Sequence, residues 1–265
     1  MTTIRKGYVD TPAGQVHYRT LGTGEPVVLL HMSPASSAMW EPALPHLAAR
    51  GYQAFALDTP GYGDSFRPPA PPSLEEYAAY LLAALDGLGL TRFLLVGHHT
   101  GGLIGAVLAS QQPKRVRKFA CWGFTLMEEK RKAELRQLPL ASYDEEGEAL
   151  LARWRSRRAM AGERWTPALG IRQLLETLQA GRELPWGFWA VGQADHLAIA
   201  RSLTVPTLVL CGERDTHREQ SQQAVHLMRQ ARFQPLPGCS LNVVDEAPEE
   251  LVAALAAFFQ EPVEG

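Results

Sequence analysis

Cysteine is scarce: three in 265 residues, Cys121, Cys211 and Cys239, widely spaced and without a C-x-x-C pair. An odd, scattered set excludes a disulfide framework, and each thiol closes an apolar segment, so all three are expected to be buried. An excess of charge is missing too. With 26 basic and 28 acidic side chains the formal net charge is −2, which leaves no electrostatic footprint for nucleic acid or an anionic membrane. No apolar run reaches the ~18 residues that a membrane span requires, and the opening MTTIRKGYVDTPAG lacks the apolar stretch of a secretory signal. The eight histidines show no H-x-x-x-H spacing, so no metal site is expected. No glycine fingerprint follows a strand, so no dinucleotide cofactor is expected either. These absences point to a cytoplasmic protein without a cofactor; they say nothing of oligomeric state.

What is present is globular. Hydrophobic residues make up 46% of the chain and charged residues 20%; about 70–75% of the extended surface of such a chain can be buried. Short apolar runs alternate with helical patterns, the signature of a mostly parallel sheet flanked by helices. The pattern predicts eight strands near 4–9, 15–20, 26–30, 53–57, 93–96, 116–122, 207–211 and 233–236. It predicts helices near 37–49, 73–87, 101–111, 217–230 and 247–260. Ser73 and Glu76 form a capping-box pattern at the second helix start. Between Leu126 and about Ala200 the strand signal vanishes and helix formers dominate, broken by Pro139, Pro167 and Pro185. The expected organisation is an α/β core of residues 1–125 and 201–265 with a helical insertion at 126–200.

One segment carries chemistry. Phe93-Leu94-Leu95-Val96-Gly97-His98-His99-Thr100-Gly101-Gly102 is a buried strand entering G-x-X-x-G and then a small-residue helix. That pattern makes a strained turn that lifts one side chain above a sheet. Val27 to Pro34, then Asp58-Thr59-Pro60-Gly61-Tyr62-Gly63-Asp64-Ser65, then Pro206 to Asp215, then Leu236-Pro237-Gly238-Cys239 follow in order. The whole set resembles the α/β-hydrolase fold superfamily, with the helical insertion as a cap. The resemblance implies a strand-turn oxyanion hole formed by the backbone N–H groups of Ser33 and Thr100, and an acidic triad member at Asp215.

Two columns depart from that family. The nucleophile position holds His99, and the base position in Pro237-Gly238-Cys239-Ser240-Leu241-Asn242 holds Leu241. Met32 also replaces the glycine usual after His31. An acyl-enzyme cycle needs a base to activate water, and leucine cannot serve. One imidazole has left position 241 and another has entered at 99, so the ring of His99 is expected to reach Asp215 and form a dyad. Such a dyad suits general-base chemistry on a small apolar ester or carbonyl compound. Non-hydrolytic lyase, decarboxylase or isomerase chemistry on the same dyad, and a non-catalytic ligand-binding protein, remain open.

Plainer readings apply elsewhere. His98 is expected to pack or to support the site, and His31 to brace the oxyanion turn. His196 and His217 are alternative suppliers of the missing base. His17, His46 and His226 read as surface residues, and Asp58, Asp64 and Ser65 as the fasteners of their loop. Arg153, Arg155, Arg157 and Arg158 read as a solvated helical face. Trp186 and Trp189, in an aromatic-rich insertion, are expected to line an apolar pocket with Met32 and Leu241.

Overall fold

In the computed structural model, which describes residues 3–262, an eight-stranded sheet runs in the order β1-β2-β4-β3-β5-β6-β7-β8. β1 (Arg5–Thr11) and β2 (Gly14–Gly22) form a hairpin, and β2 pairs antiparallel with β4 (Tyr52–Leu57). From β4 onward, β3 (Glu25–Leu30), β5 (Phe93–His98), β6 (Val116–Trp122), β7 (Thr207–Gly212) and β8 (Ala231–Leu236) are parallel. Every residue of β5 and β7 is buried, as expected of central parallel strands covered on both faces.

Helices seal the two faces. α2 (Leu74–Gly87) and α3 (Thr100–Gln111) sit in one core cluster, with Phe93, Leu95 and Phe119. α1 (Leu44–Ala49), a short α10 (Val243–Glu246) and α11 (Pro248–Gln260) enclose the other, around Trp40, Val96 and Trp122. The expected capping box is formed: Glu76 N–H donates to Ser73 Oγ at 3.1 Å and Ser73 N–H to Glu76 Oε2 at 2.7 Å. The helix expected over 37–49 is instead split into a 3₁₀ turn, Ser37–Trp40, and α1. Pro42 and Pro45 fit the break, because each removes an N–H that a continuous helix would use, and Pro45 is tolerated in the first turn of α1. The helix expected to reach residue 230 stops early: α9 spans Arg218–Ala224 and yields to a 3₁₀ turn at Val225–Leu227.

Between β6 and β7 lie α4 (Glu129–Arg136), α5 (Glu148–Ala161), α6 (Pro167–Ala180), α7 (Trp186–Gln193) and α8 (His196–Ser202). They are fastened to the sheet domain at several points. Ser36 N–H and Oγ donate to Glu176 Oε1 at 3.2 and 2.9 Å. Arg172 grips Asp245 with two bonds of 2.6 and 2.7 Å, a fork geometry that fixes orientation as well as charge. Gly187 N–H donates to Tyr62 Oη at 2.7 Å, and a Cβ at Gly187 would lie 2.1 Å from Ser33 Oγ. Only glycine lets α7 start this close to the sheet.

His17 is not a surface residue. It is buried beside Asp58, with Nδ1 2.8 Å from Oδ2. Its partner lies at the far end of β4, where no local sequence signal links the two. Asp58 also accepts from Ser37 N–H and Asp64 N–H, at 2.5 and 2.9 Å, and Ser65 Oγ donates to Asp58 O at 2.7 Å. The Asp58 loop is therefore a polar clamp. All three cysteines are buried and unbridged. Among the described residues, no helix is long and apolar enough to cross a membrane.

Candidate active site

The turn from β5 into α3 places one side chain above the carboxyl edge of the sheet. His99, between strand and helix, has φ 46° and ψ −105°, the one positive φ among described non-glycine residues. Backbone held there costs of order 1–3 kcal/mol and persists only where its surroundings fix it. They do so here: His99 N–H donates to Trp122 O at 2.8 Å, and Leu103 N–H donates to His99 O at 3.0 Å. Gly97 and Gly101 are required by contact. A Cβ on Gly97 would stand 2.3 Å from Gly101 O, and one on Gly101 2.5 Å from the carbonyl oxygens of Leu30 and His31.

The imidazole of His99 reaches Asp215, in the turn after β7, with Nε2 3.2 Å from Oδ2. Asp215 is almost wholly enclosed, its side chain 1% exposed, while the His99 side chain is 15% exposed. Both carboxylate oxygens are engaged. Trp122 Nε1–H donates to Oδ2 at 3.1 Å, His217 N–H donates to Oδ1 at 2.9 Å, and His217 Nδ1 lies 3.2 Å from the same Oδ1. Burial works to raise the Asp215 pKa, yet the bonds from His217 and His99, with the charge of His99, hold it well below the usual carboxylate range. An ionised Asp215 accepts only, so His99 Nε2 carries the proton and Nδ1 keeps the basic lone pair. Gly123, at φ 70°, makes room for the ring: a Cβ there would lie 2.4 Å from His99 Cε1.

The oxyanion columns are close by. Thr100 is the first residue of α3, so its N–H finds no carbonyl within its own helix. Ser33 lies in the turn after β3, and both Ser33 and Thr100 line the same cavity as His99. His31 braces this turn. Its Nε2 accepts from Thr59 N–H at 2.9 Å, so its Nδ1–H is free to donate to Met32 O, also at 2.9 Å. Burial lowers the His31 pKa, consistent with a neutral ring between two backbone groups.

His98 is fully buried under the elbow. It stacks on Trp122 with ring planes 20° apart and meets Trp40 edge-on. Neither ring nitrogen finds a hydrogen-bond partner of good geometry. Burial, then the neighbouring His99, pushes its pKa well below the ordinary histidine value, so it packs as a neutral aromatic.

A cavity of about 360 Å³ opens over His99, between the sheet domain and the inserted helices. Met32, Leu103 and Leu241 line it from the sheet side, and Met127, Phe188 and Val191 from the insertion. Trp186 and Trp189 are not among its lining residues. Phe188 takes that place, and Trp189 Nε1–H donates instead to Leu138 O at 2.9 Å. His196 does not enter the cavity; it is held by Met127 N–H and Val191 O. His217 does, and its ring centre is 4.9 Å from that of His99. The arginines of α5 are not uniformly solvated: Arg153 and Arg157 line the cavity, and Arg155 and Arg158 are exposed. Trp122 and the two arginines are what sequence reading missed as parts of the site; His217 was one of its two alternative bases, and it does line the cavity.

His99, Asp215 and His217 each offer a ligand atom, all within 4.8 Å of one another. Two imidazoles and a carboxylate can hold a divalent transition metal, and the same atoms are already satisfied as a hydrogen-bonded triplet. In a second cluster, His17, Asp58 and Asp64, His17 and Asp58 are spent on the loop clamp described above, and the Asp64 carboxylate accepts from Gln179 Nε2 at 2.8 Å.

Comparison with known proteins bears on the fold. The family model for the alpha/beta hydrolase fold matches residues 25–139. A bifunctional epoxide hydrolase 2 from Rattus norvegicus is 35% identical over 130 residues, covering 47% of this chain and 23% of that protein. The chain thus spans less than a quarter of the length of that curated relative. A non-heme haloperoxidase from Rhodococcus erythropolis is 28% identical over 267 residues, covering 93% of this chain and 96% of the other. Among solved structures, an enol-lactonase from Burkholderia xenovorans LB400 superposes with a TM-score of 0.77 at 22% identity, over 96% of this chain and all of the other. The chain has the α/β-hydrolase fold.

Proposed function

We propose that this α/β-hydrolase-fold protein is a cofactor-independent hydrolase in which His99 acts as a general base, oriented by Asp215. One observation carries the reading: a strained backbone turn aims an imidazole into a cavity and sets it 3.2 Å from a buried, ionised carboxylate. The family match at residues 25–139 and the curated hydrolase relatives support a hydrolase-type enzyme. The inserted helices over 126–200 act as the cap that closes the substrate in.

In this mechanism His99 Nδ1 accepts a proton from water as the water oxygen attacks the substrate carbonyl. The imidazolium that forms is stabilised by Asp215, which stays ionised throughout. The backbone N–H groups of Ser33 and Thr100 hold the developing oxyanion. When the tetrahedral intermediate collapses, the proton on His99 passes to the leaving oxygen. No acyl group is carried by the protein, consistent with Leu241 standing where a second base would be needed.

The test is pre-steady-state turnover of a panel of 4-nitrophenyl esters by the unmodified protein. Linear release of nitrophenol from time zero, with unchanged intact protein mass, is expected. A burst equal to the enzyme concentration with an acyl adduct on His99 would overturn the base assignment. No turnover across the panel would overturn hydrolysis.

A further inference from the structure

The face of α5 toward the cavity over His99 carries two guanidinium groups with no ion-pair partner among the described residues. Arg153 and Arg157 are four residues apart on α5, so their side chains share one face of the helix, and both line the cavity over His99. Among the described residues neither has a carboxylate oxygen within 4 Å. Arg131, the third arginine lining the cavity, does: it pairs with Glu134, as Arg136 pairs with Glu129 and Arg172 with Asp245. Glu176, whose charge acts on Arg157, accepts from Ser36 at one oxygen and faces Arg172 Nε at 3.8 Å with the other, and burial lifts its carboxyl to about 7, which makes it a weak counter-ion. Burial, and then the charge of Arg153, lowers the Arg157 pKa. Two partly desolvated guanidinium groups side by side are unfavourable unless an anion lies between them.

We propose that Arg153 and Arg157 form the receptor for a negatively charged group on the substrate, so that the enzyme takes small amphipathic acids rather than neutral apolar compounds. The inference rests on the reading of His99 as the reactive centre, and it names the substrate class for that site. Met127, Met160, Phe188 and Leu241 line the same space and suit an apolar body. The substrate is therefore an apolar carboxylate whose reacting carbonyl lies at His99. Guanidinium forks suit carboxylate and phosphate alike, so the experiment separates the two.

The experiment is isothermal titration of the full chain with 4-phenylbutyrate, 4-phenylbutyramide and phenyl phosphate at low salt. Wild type, Arg153→Gln, Arg157→Gln, the double variant, Arg157→Lys and His99→Ala are compared, each after a melting curve confirms folding. The acid is expected to bind at least ~10-fold more tightly than its amide, the range of a charge-assisted bond. That preference should vanish in the double variant, survive in part in Arg157→Lys and persist in His99→Ala. Acid binding no tighter than amide, or a preference kept by the double variant, would overturn the proposal. Phenyl phosphate binding more tightly than the carboxylate would overturn the carboxylate assignment. Persistence in His99→Ala separates the two readings, since anion binding and ester turnover can then fail independently.

Discussion

Two of the histidine–carboxylate contacts among the described residues, His17–Asp58 and His99–Asp215, have surroundings that make them different devices. In His17–Asp58 the atoms are 2.8 Å apart with side chains 2% and 0% exposed. The carboxylate is saturated by backbone N–H groups and the histidine sits in a regular strand. In His99–Asp215 the separation is 3.2 Å, the histidine is 15% exposed and its backbone is held at positive φ. The first pair ties a loop to the sheet; the second presents a lone pair to a cavity. An imidazole–carboxylate contact alone marks neither role. Access to a cavity and maintained backbone strain are what single out the pair proposed to carry the chemistry.

Variants can break each pair in turn. The largest stability effect is expected for Asp58→Ala, which strands His17 and two backbone donors in the interior: a loss of about 3–5 kcal/mol, read from chemical denaturation. Burial works against the charged form of Asp58, but the bonds from His17, Ser37 N–H and Asp64 N–H, with His31 nearby, together outweigh it and the pKa falls to about 2. Its folded pKa lies below the unfolded value near ~3.9. The stabilisation is thus full above that value and disappears as pH falls toward 2. At the second pair, Asp215→Asn should cut kcat/KM by about 100-fold, or ~2.7 kcal/mol of transition-state stabilisation, because the amide no longer anchors the correct tautomer of His99.

Smaller effects sharpen the contrast between sealed and open polar groups. Burial raises the Glu176 carboxyl to about 7, so the folded protein binds a proton there that the unfolded chain has released. Its contribution is fully favourable below the unfolded pKa and is lost as pH rises through 7. Glu176→Gln should therefore raise the melting temperature at pH 8 more than at pH 5. His98→Phe should leave stability unchanged or raise it by about 1 kcal/mol, since the imidazole has two unpartnered nitrogens, as denaturant titration would show.

Much of the fold was legible because its signals are local: the apolar runs of β5 and β7, the capping box at Ser73, the glycines around His99. The pairing of His99 with Asp215 was legible only through the order of motifs along the chain, since 116 residues separate them. What escaped were contacts set by packing. Nothing local says that His17 faces Asp58, or that α7 turns Phe188 rather than Trp186 and Trp189 toward the cavity. The i, i+4 spacing of Arg153 and Arg157 was visible, but a charged stripe on a helix looks the same whether it meets solvent or a substrate.

The central claim is that His99 carries the chemistry while contributing little to the fold. Ester turnover by His99→Ala, measured beside its melting curve, tests this most directly. The account predicts a fall in kcat/KM of at least ~1000-fold, about 4 kcal/mol, with stability within about 1 kcal/mol of wild type. Turnover retained in a folded His99→Ala protein would contradict it.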